Sequence, residues 1–500
     1  MADRPEQEEV IEEYELNANG MQINVRIVQA DGYVPDYIVT IPGVSEPTKL
    51  LLLSLRTELV LMVPVDTSRI GEKEYVKEIN RKYLDASSLL IDKYLPGTEP
   101  KTKELLMAYI INMMLGLGDL EAPLADDNLE EITVNGSLSN IWVFHRTAGW
   151  CKTNIRPATE ELIYNQAEQV GRRVGREINN LTPLMDAVLP DGSRMNATLY
   201  PISQIGNTIT VRKFAKNPWT MPAMIKNKTI SSEIAALIWI CIQNEISMLV
   251  SGGTASGKTS MLNALSIFFP PNRRIISVEE TRELTLPGFL QWLPMVTRQP
   301  NPEGKGEISL YDLTVNALRQ RPDIVIVGEM RLKRDAETML EAIHTGHAVY
   351  GTVHADNAQD TIVRLTNPPI DLPKILLNAL GGVIVAFRHR SLGIRRILEY
   401  GEVLRSGDLS ILYKWNSRDD TFPQVANMSR LADTLSVYAG YSAKDLEDDV
   451  REKVSVLNWM VKNSVLSIND AGLVIAKYYR NKSKVLGMVK DDVKFSKDIF

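Results

Sequence analysis

The sequence predicts an α/β protein organised around a parallel sheet covered by helices, with further helices toward both ends of the chain. Three observations lead there. Between residues 230 and 400, apolar runs (Ile246–Val250, Ile275–Val278, Ile324–Val327, Ala348–Val353) alternate with helical stretches. Continuous apolar runs of that length mark strands buried on both faces. A glycine-rich octapeptide follows the first of these strands and opens a helix, and beyond residue 400 apolar residues recur at helical spacing.

Composition supports a globular chain. Its 500 residues, at about 150 per domain, suggest about three domains. Hydrophobic residues form 44% and charged residues 24%, which excludes a disordered or collagen-like chain. The 62 acidic residues outnumber 56 basic ones, so a wholly basic nucleic-acid binder is not expected. Cys151 and Cys241 are the two cysteines; they cannot form a disulfide framework or a four-cysteine zinc site.

Taken in order, the first fifteen residues carry Asp3, Glu6, Glu8, Glu9, Glu12, Glu13 and Glu15 against Arg4, unlike the basic start of a signal peptide. Ile23, Val25 and Ile27 alternate as a strand, and residues 48–115 look helical with a break at Pro96-Gly97. Leu50–Val65 is the most apolar stretch, but Arg56 and Glu58 make it a buried amphipathic helix rather than a membrane span. The expected location is the cytoplasm.

Ile132–Val134, Asn135-Gly136 and Ile141–Phe144 read as a hairpin. Pro157 and Thr159 open a helix with Ile163, Ala167, Val170, Val174 and Ile178 on one face, and strands resume at Ala197–Tyr200 and Thr208–Val211. Helices are expected at about 429–439, 442–462 and 467–480. Four segments follow: 1–115, strand and helices; 116–222, a small α/β domain; 223–400, the parallel-sheet domain; 401–500, mostly helical. Seven Lys/Arg between Lys477 and Lys497 predict a solvated helix end, with a docking surface as the alternative.

Gly252-Gly253-Thr254-Ala255-Ser256-Gly257-Lys258-Thr259 is a complete G-x-x-x-x-G-K-[ST] loop, followed by Ser260. Its glycines let successive backbone N–H groups curl around a polyphosphate, aided by the helix N-terminus. Lys258 then holds the β/γ oxygens and Thr259 ligates Mg2+. Hydrolysis also needs acids. Ile324–Val327 delivers Glu329 just past a strand end, suited to hold Mg2+ through water, and Ile275–Val278 delivers Glu279 and Glu280. His344, His347 and His354 lack the spacing of a zinc site. His347 and His354 bracket a short strand and suit hydrogen bonding toward phosphate or water.

Together these segments resemble the type II/type IV secretion ATPase superfamily. Gly252–Ser260 is its Walker A loop and Ser277–Glu283 is similar to its acidic "Asp box". Arg321–Arg331 resembles its Walker B, and Thr345–Ala355 resembles its "His box". Leu129–Gly136, Thr210–Phe214, Leu457–Met460 and Lys477–Tyr479 are similar to the archaeal branch of archaellum motor and type IV pilus assembly ATPases.

The resemblance implies a RecA-like P-loop domain preceded by a PAS-like α/β domain, with ATP and Mg2+ as cofactors. It implies a homo-hexamer that pushes a polytopic membrane platform protein, and through it pilin-like subunits, from the inner face of the membrane. Glu279, Glu329, Lys258, His347 and His354 then serve catalysis, with Arg194 and Arg212 reaching the γ-phosphate. Two departures stand out: Glu280 replaces the usual Asp, and Gln204-Ile205 stands where relatives carry arginines. A RecA-like nucleic-acid translocase is the alternative, which the acidic balance does not favour; a scaffold without turnover is at odds with Lys258, Glu279 and Glu329.

Overall fold

The computed structural model describes residues 9–18, 20–29, 32–41, 44–64, 73–189, 191–300, 304–389 and 391–497. Asp3, Arg4, Glu6, Glu8 and Val65 lie outside them. The chain divides into two compact units, Met1–Ala215 and Lys216–Phe500.

The first unit opens with β1 (Glu9–Ala18), β2 (Met21–Gln29) and β3 (Asp36–Thr40), followed by α1 (Glu46–Met62), α2 (Lys73–Tyr94) and α3 (Pro100–Leu115). A short α4 (Glu121–Ala125) leads into β4 (Leu129–Asn135), β5 (Trp142–His145) and β6 (Gly149–Thr153). Then come α5 (Glu160–Val174), β7 (Leu184–Val188), β8 (Arg194–Thr198) and β9 (Thr208–Arg212). All nine strands share one sheet, in the order β1-β2-β3-β6-β5-β4-β9-β8-β7.

The alternation in β2 buries Ile23, Val25 and Ile27 in a core shared with Leu106 and Ile110 of α3, the helix that contacts β2. Thr159 caps α5 by accepting from Leu162 N, and Gly175 ends it in a left-handed conformation. The expected hairpin is present as β4/β5, but six residues connect the strands instead of a two-residue turn. Gly136 is instead tied to a distant loop, its N–H donating to Asn207 O just before β9. Strands β3 and β6 pair in parallel through Asp36↔Lys152 and Tyr37↔Thr153. Asn154 reinforces that seam, its side chain accepting from Val39 N and donating to Val39 O, both at 2.9 Å. Tyr14 and Tyr37 both donate to Asp126 Oδ2, at 2.5 and 2.7 Å. Contacts therefore group residues 9–40 with the small α/β segment.

The second unit starts with α6 (Met221–Lys226), α7 (Ser232–Gln243), β10 (Met248–Gly252) and α8 (Lys258–Ser266). It continues through β11 (Arg274–Glu279), β12 (Gln291–Val296), α9 (Leu310–Leu318), β13 (Ile324–Val327), α10 (Lys333–His344) and β14 (Ala348–Val353). Next are α11 (Ala358–Thr366), β15 (Gly382–His389), β16 (Ile394–Val403) and β17 (Leu409–Lys414). Helices α12 (Arg430–Ala439), α13 (Ala443–Lys462), α14 (Ile468–Arg480) and α15 (Lys482–Lys490) close the chain.

Its sheet runs β12-β11-β13-β14-β10-β15-β16-β17. The strands from β12 to β15 are parallel, and β16 and β17 run antiparallel. Pro294 sits in β12, an edge strand, where a missing donor is tolerated. Strands β10, β13 and β14 are buried throughout. Helix α7 is apolar nearly all round and lies in the same core as Val456, Leu457 and Met460 of α13. Lys453 of α13, itself buried, donates to Asp449 at 2.6 Å and faces the rings of Trp239 and Tyr478. Residues beyond 400 thus complete the core of the parallel-sheet domain. The basic tail is partly tied down: Lys482 pairs with Glu452 and Lys497 with Asp470.

Candidate functional site

The glycine-rich loop leaves β10 and enters α8, placing it at the carboxyl end of a central parallel strand. Gly252 is required by space: a Cβ there would lie 2.4 Å from Ala386 O, whereas one on Gly253 would meet only the Asp356 carboxylate, at 2.6 Å. Gly257 caps α8 with φ of 100° and offers no side chain to the first-turn N–H groups. Ser256 Oγ is buried without a hydrogen-bond partner. Lys258 Nζ donates to Gly252 O and Gly253 O, both at 3.0 Å, folding over the loop. An uncapped helix N-terminus, a lysine over the loop and a buried unpartnered hydroxyl fit a polyphosphate chain.

The acids gather at the same end of the sheet. Glu279, at the end of β11, is 3% exposed. Its Oε1 accepts from Glu283 N at 2.9 Å and Leu284 N at 3.1 Å, while Oε2 is buried with no partner. Desolvation raises this carboxyl to about 7, above the usual range, despite the two N–H donors that pull it down. Glu280 is turned outward. Arg331 donates from Nη1 to Glu280 at 3.0 Å and from Nη2 to Glu329 at 2.9 Å, binding the two acids to each other. Glu329 follows Gly328, whose N–H donates to Val278 O at 2.8 Å, so β11 and β13 hold their acids side by side.

The two bracketing histidines are separated. His354 follows the carboxyl end of β14, beside β10 in parallel register, and is exposed. His347 precedes the amino end of β14, where its Nδ1 lies 3.0 Å from Ala342 O. Seven residues of extended chain span about 20 Å. His347 therefore stands at the other end of the sheet from its own chain's loop. His344 ends α10 and is exposed.

In the first unit, Arg194 and Arg212 are direct cross-strand partners on β8 and β9, with Glu131 of β4 next to Arg212 in the same row. The sequence gives no hint that the two guanidinium groups share a face. Gln204 and Ile205 lie on the β8–β9 connection, lining an open cavity of about 600 Å3 with Tyr200, Tyr164 and Leu138.

Sequence reasoning overlooked Arg331 as a partner of both acids, and Asp356 and Arg395 as neighbours of the loop. Arg395 Nε of β16 donates to Ala255 O at 3.3 Å. The contacts of Asp356 and Arg395 depend on strands meeting across more than 100 residues; Arg331 alone carried a local sign, since it follows Glu329 by two.

This sheet order with this loop defines a P-loop nucleotide-binding protein. The family model for type II/IV secretion system proteins matches residues 119–386, and the chain belongs to that family. An uncharacterized protein of Methanocaldococcus jannaschii is 31% identical over 425 residues, covering 83% of this chain and 75% of its own. The type IV secretion system protein PtlH of Bordetella pertussis is 27% identical over 49% of this chain and 77% of its own. Among solved structures, the Legionella pneumophila ATPase DotB matches with 19% identity over 73% of this chain and 92% of that one, at a TM-score of 0.41. No helix among the described residues is long and apolar enough to cross a membrane.

Proposed function

We propose that this protein is a Mg-ATP-driven motor of the archaeal secretion branch, working as a homo-hexamer at the inner face of the cell membrane. It pushes a polytopic platform protein so that pilin-like subunits join a pilus or archaellum filament. The observation that carries the reading is the convergence of the Lys258 loop with Glu279 and Glu329 at the carboxyl ends of neighbouring strands.

Residues Gly252–Ser260 hold the phosphates, Lys258 the β/γ oxygens, and Thr259 with Glu329 (through water) the Mg2+, which neutralises charge on the transferring phosphoryl group. Glu279 has a carboxyl oxygen without a partner and a raised proton affinity, which suit it to orient and deprotonate the attacking water. His354 contributes a hydrogen bond near the γ-phosphate. Arg194 and Arg212 supply paired guanidinium groups for that phosphate.

Steady-state ATPase and nucleotide-binding measurements test this. Glu329→Gln should keep nucleotide affinity within a few-fold while turnover falls by about 100-fold or more. Lys258→Ala should weaken binding as well. Turnover stimulated by DNA, and not by lipid with platform protein, would replace this reading with a translocase.

A further inference from the structure

The sheet order divides the surroundings of the phosphate loop into two sides. Reading outward from β10, one side passes through β14 to β13 and β11, which carry Glu329 and Glu279. The other passes through β15 to β16. A nucleotide whose γ-phosphate and Mg2+ meet the acids therefore directs the opposite end of its phosphate chain toward β15 and β16.

Arg395 stands on that second side. Its Nε donates to Ala255 O, and its Cδ lies 3.6 Å from where a Cβ on Gly257 would stand. The side chain is thus laid along the outer shoulder of the loop, next to the residue that caps α8. Its cross-strand partner on β15 is Arg388, in direct register. Like charges placed opposite each other on a ladder destabilise a sheet. The pairing places two arginines in register beside a loop shaped for an anion.

We propose that Arg395 is a nucleotide-binding residue that recognises the α-phosphate and ribose end of a nucleoside di- or triphosphate. A guanidinium anchored through Nε to the loop keeps its Nη groups in a fixed plane, suited to phosphate and ribose oxygens. This rests on the nucleotide reading given above, and extends it to the half of the ligand that Lys258, Thr259 and Glu329 leave unheld. Because ADP and ATP share that half, the interaction contributes equally to ground and transition states.

The test compares wild type, Arg395→Ala, Arg395→Gln and Lys258→Ala by calorimetric titration with ADP and with a non-hydrolysable ATP analogue, alongside steady-state kinetics. Arg395→Ala and Arg395→Gln should weaken ADP and the analogue by the same factor, about tenfold, with the kinetic loss falling on KM rather than kcat. Weakening confined to the ATP analogue would move the contact to the γ side and overturn the proposal. A collapse of kcat in both variants would show that Arg395 only shapes the loop, and unchanged affinities would also sink it. If wild type binds neither ligand, or Lys258→Ala binds them equally well, the nucleotide reading itself fails, independently of Arg395.

Discussion

Glu279 is the acid of the site whose chemistry its surroundings alter. Burial raises its carboxyl from 4.5 to about 7. The folded chain then binds this proton more tightly than the unfolded chain, so its contribution to stability falls as pH rises from about 4.5 to about 7 and is level above. Glu279→Gln removes that dependence. The difference in unfolding free energy between variant and wild type should shift in favour of the variant across this window, by up to about 3 kcal/mol, in denaturation series at pH 5 and pH 8. Turnover of the wild type should drop as pH falls through about 7, and Glu279→Gln should be nearly inactive at every pH. Glu280→Asp should remain active, and losses equal to those of Glu279→Gln would overturn the ranking of Glu279 above Glu280.

Arg331 belongs to the same scale. With Glu280 and Glu329 on its two Nη atoms, it fixes the spacing of acids from different strands. Arg331→Ala should lower kcat by about tenfold or more while nucleotide affinity changes little, and Arg331→Lys should recover part of the loss because one ion pair survives. A variant that loses affinity and kcat together would deny Arg331 this positioning role.

At the scale of elements, much was legible because local chemistry dictated it. Ser309 and Asp312, a Ser-x-x-Asp spacing, form a capping box at the start of α9, and α13 follows the expected helix over 442–462 closely. The apolar runs became β10, β11, β13 and β14, because runs too short for a helix and flanked by turn residues suit parallel strands covered on both faces. Less was legible where a strand is defined by its neighbours. Strand β12 contains Pro294, and β7 alternates exposed Leu184, Asp186 and Val188 with buried Met185 and Ala187, so neither advertises itself by composition. The site followed the same division: the loop and Glu329 are written in contiguous residues, whereas the Arg194–Arg212 pairing arises only when β8 meets β9.

The buried Lys453–Asp449 pair in α13 gives this scale its own test. Lys453→Ala leaves the buried Asp449 carboxylate only Tyr441 OH at 2.7 Å and Lys482 Nζ at 3.8 Å and should cost about 3 kcal/mol, whereas Lys453→Met with Asp449→Leu should cost much less. Chemical denaturation of the three proteins reads the difference, and equal losses would mean that the pair acts through packing alone.

For the whole molecule, the expectation of a ring makes a specific demand on Arg194 and Arg212. If either serves a neighbouring subunit, mixing Lys258→Ala chains with chains lacking that arginine should restore activity, because intact loops then face intact arginines. Verified mixing without any recovery would count against a role across the subunit boundary, and a nucleotide-bound hexamer with the arginine far from every γ-phosphate would sink it. The four expected segments, meanwhile, became two compact units. Parallel pairing of β3 with β6 joins residues over 100 positions apart, which no local pattern encodes.

That seam has a mechanical meaning. Strands β1 and β2 are zipped over nearly their whole length, and β4 and β9 over five residue pairs. Between them the sheet narrows at the β3–β6 step to two residue pairs and the Asn154 side chain. A load drawn across the first unit therefore concentrates on β3–β6 as on a perforated line, and this joint yields before the flanking strands do. Deuterium uptake at Lys152 and Val39 should accordingly precede uptake at Ile132 and Val25, making the seam the compliant hinge of an otherwise stiff sheet.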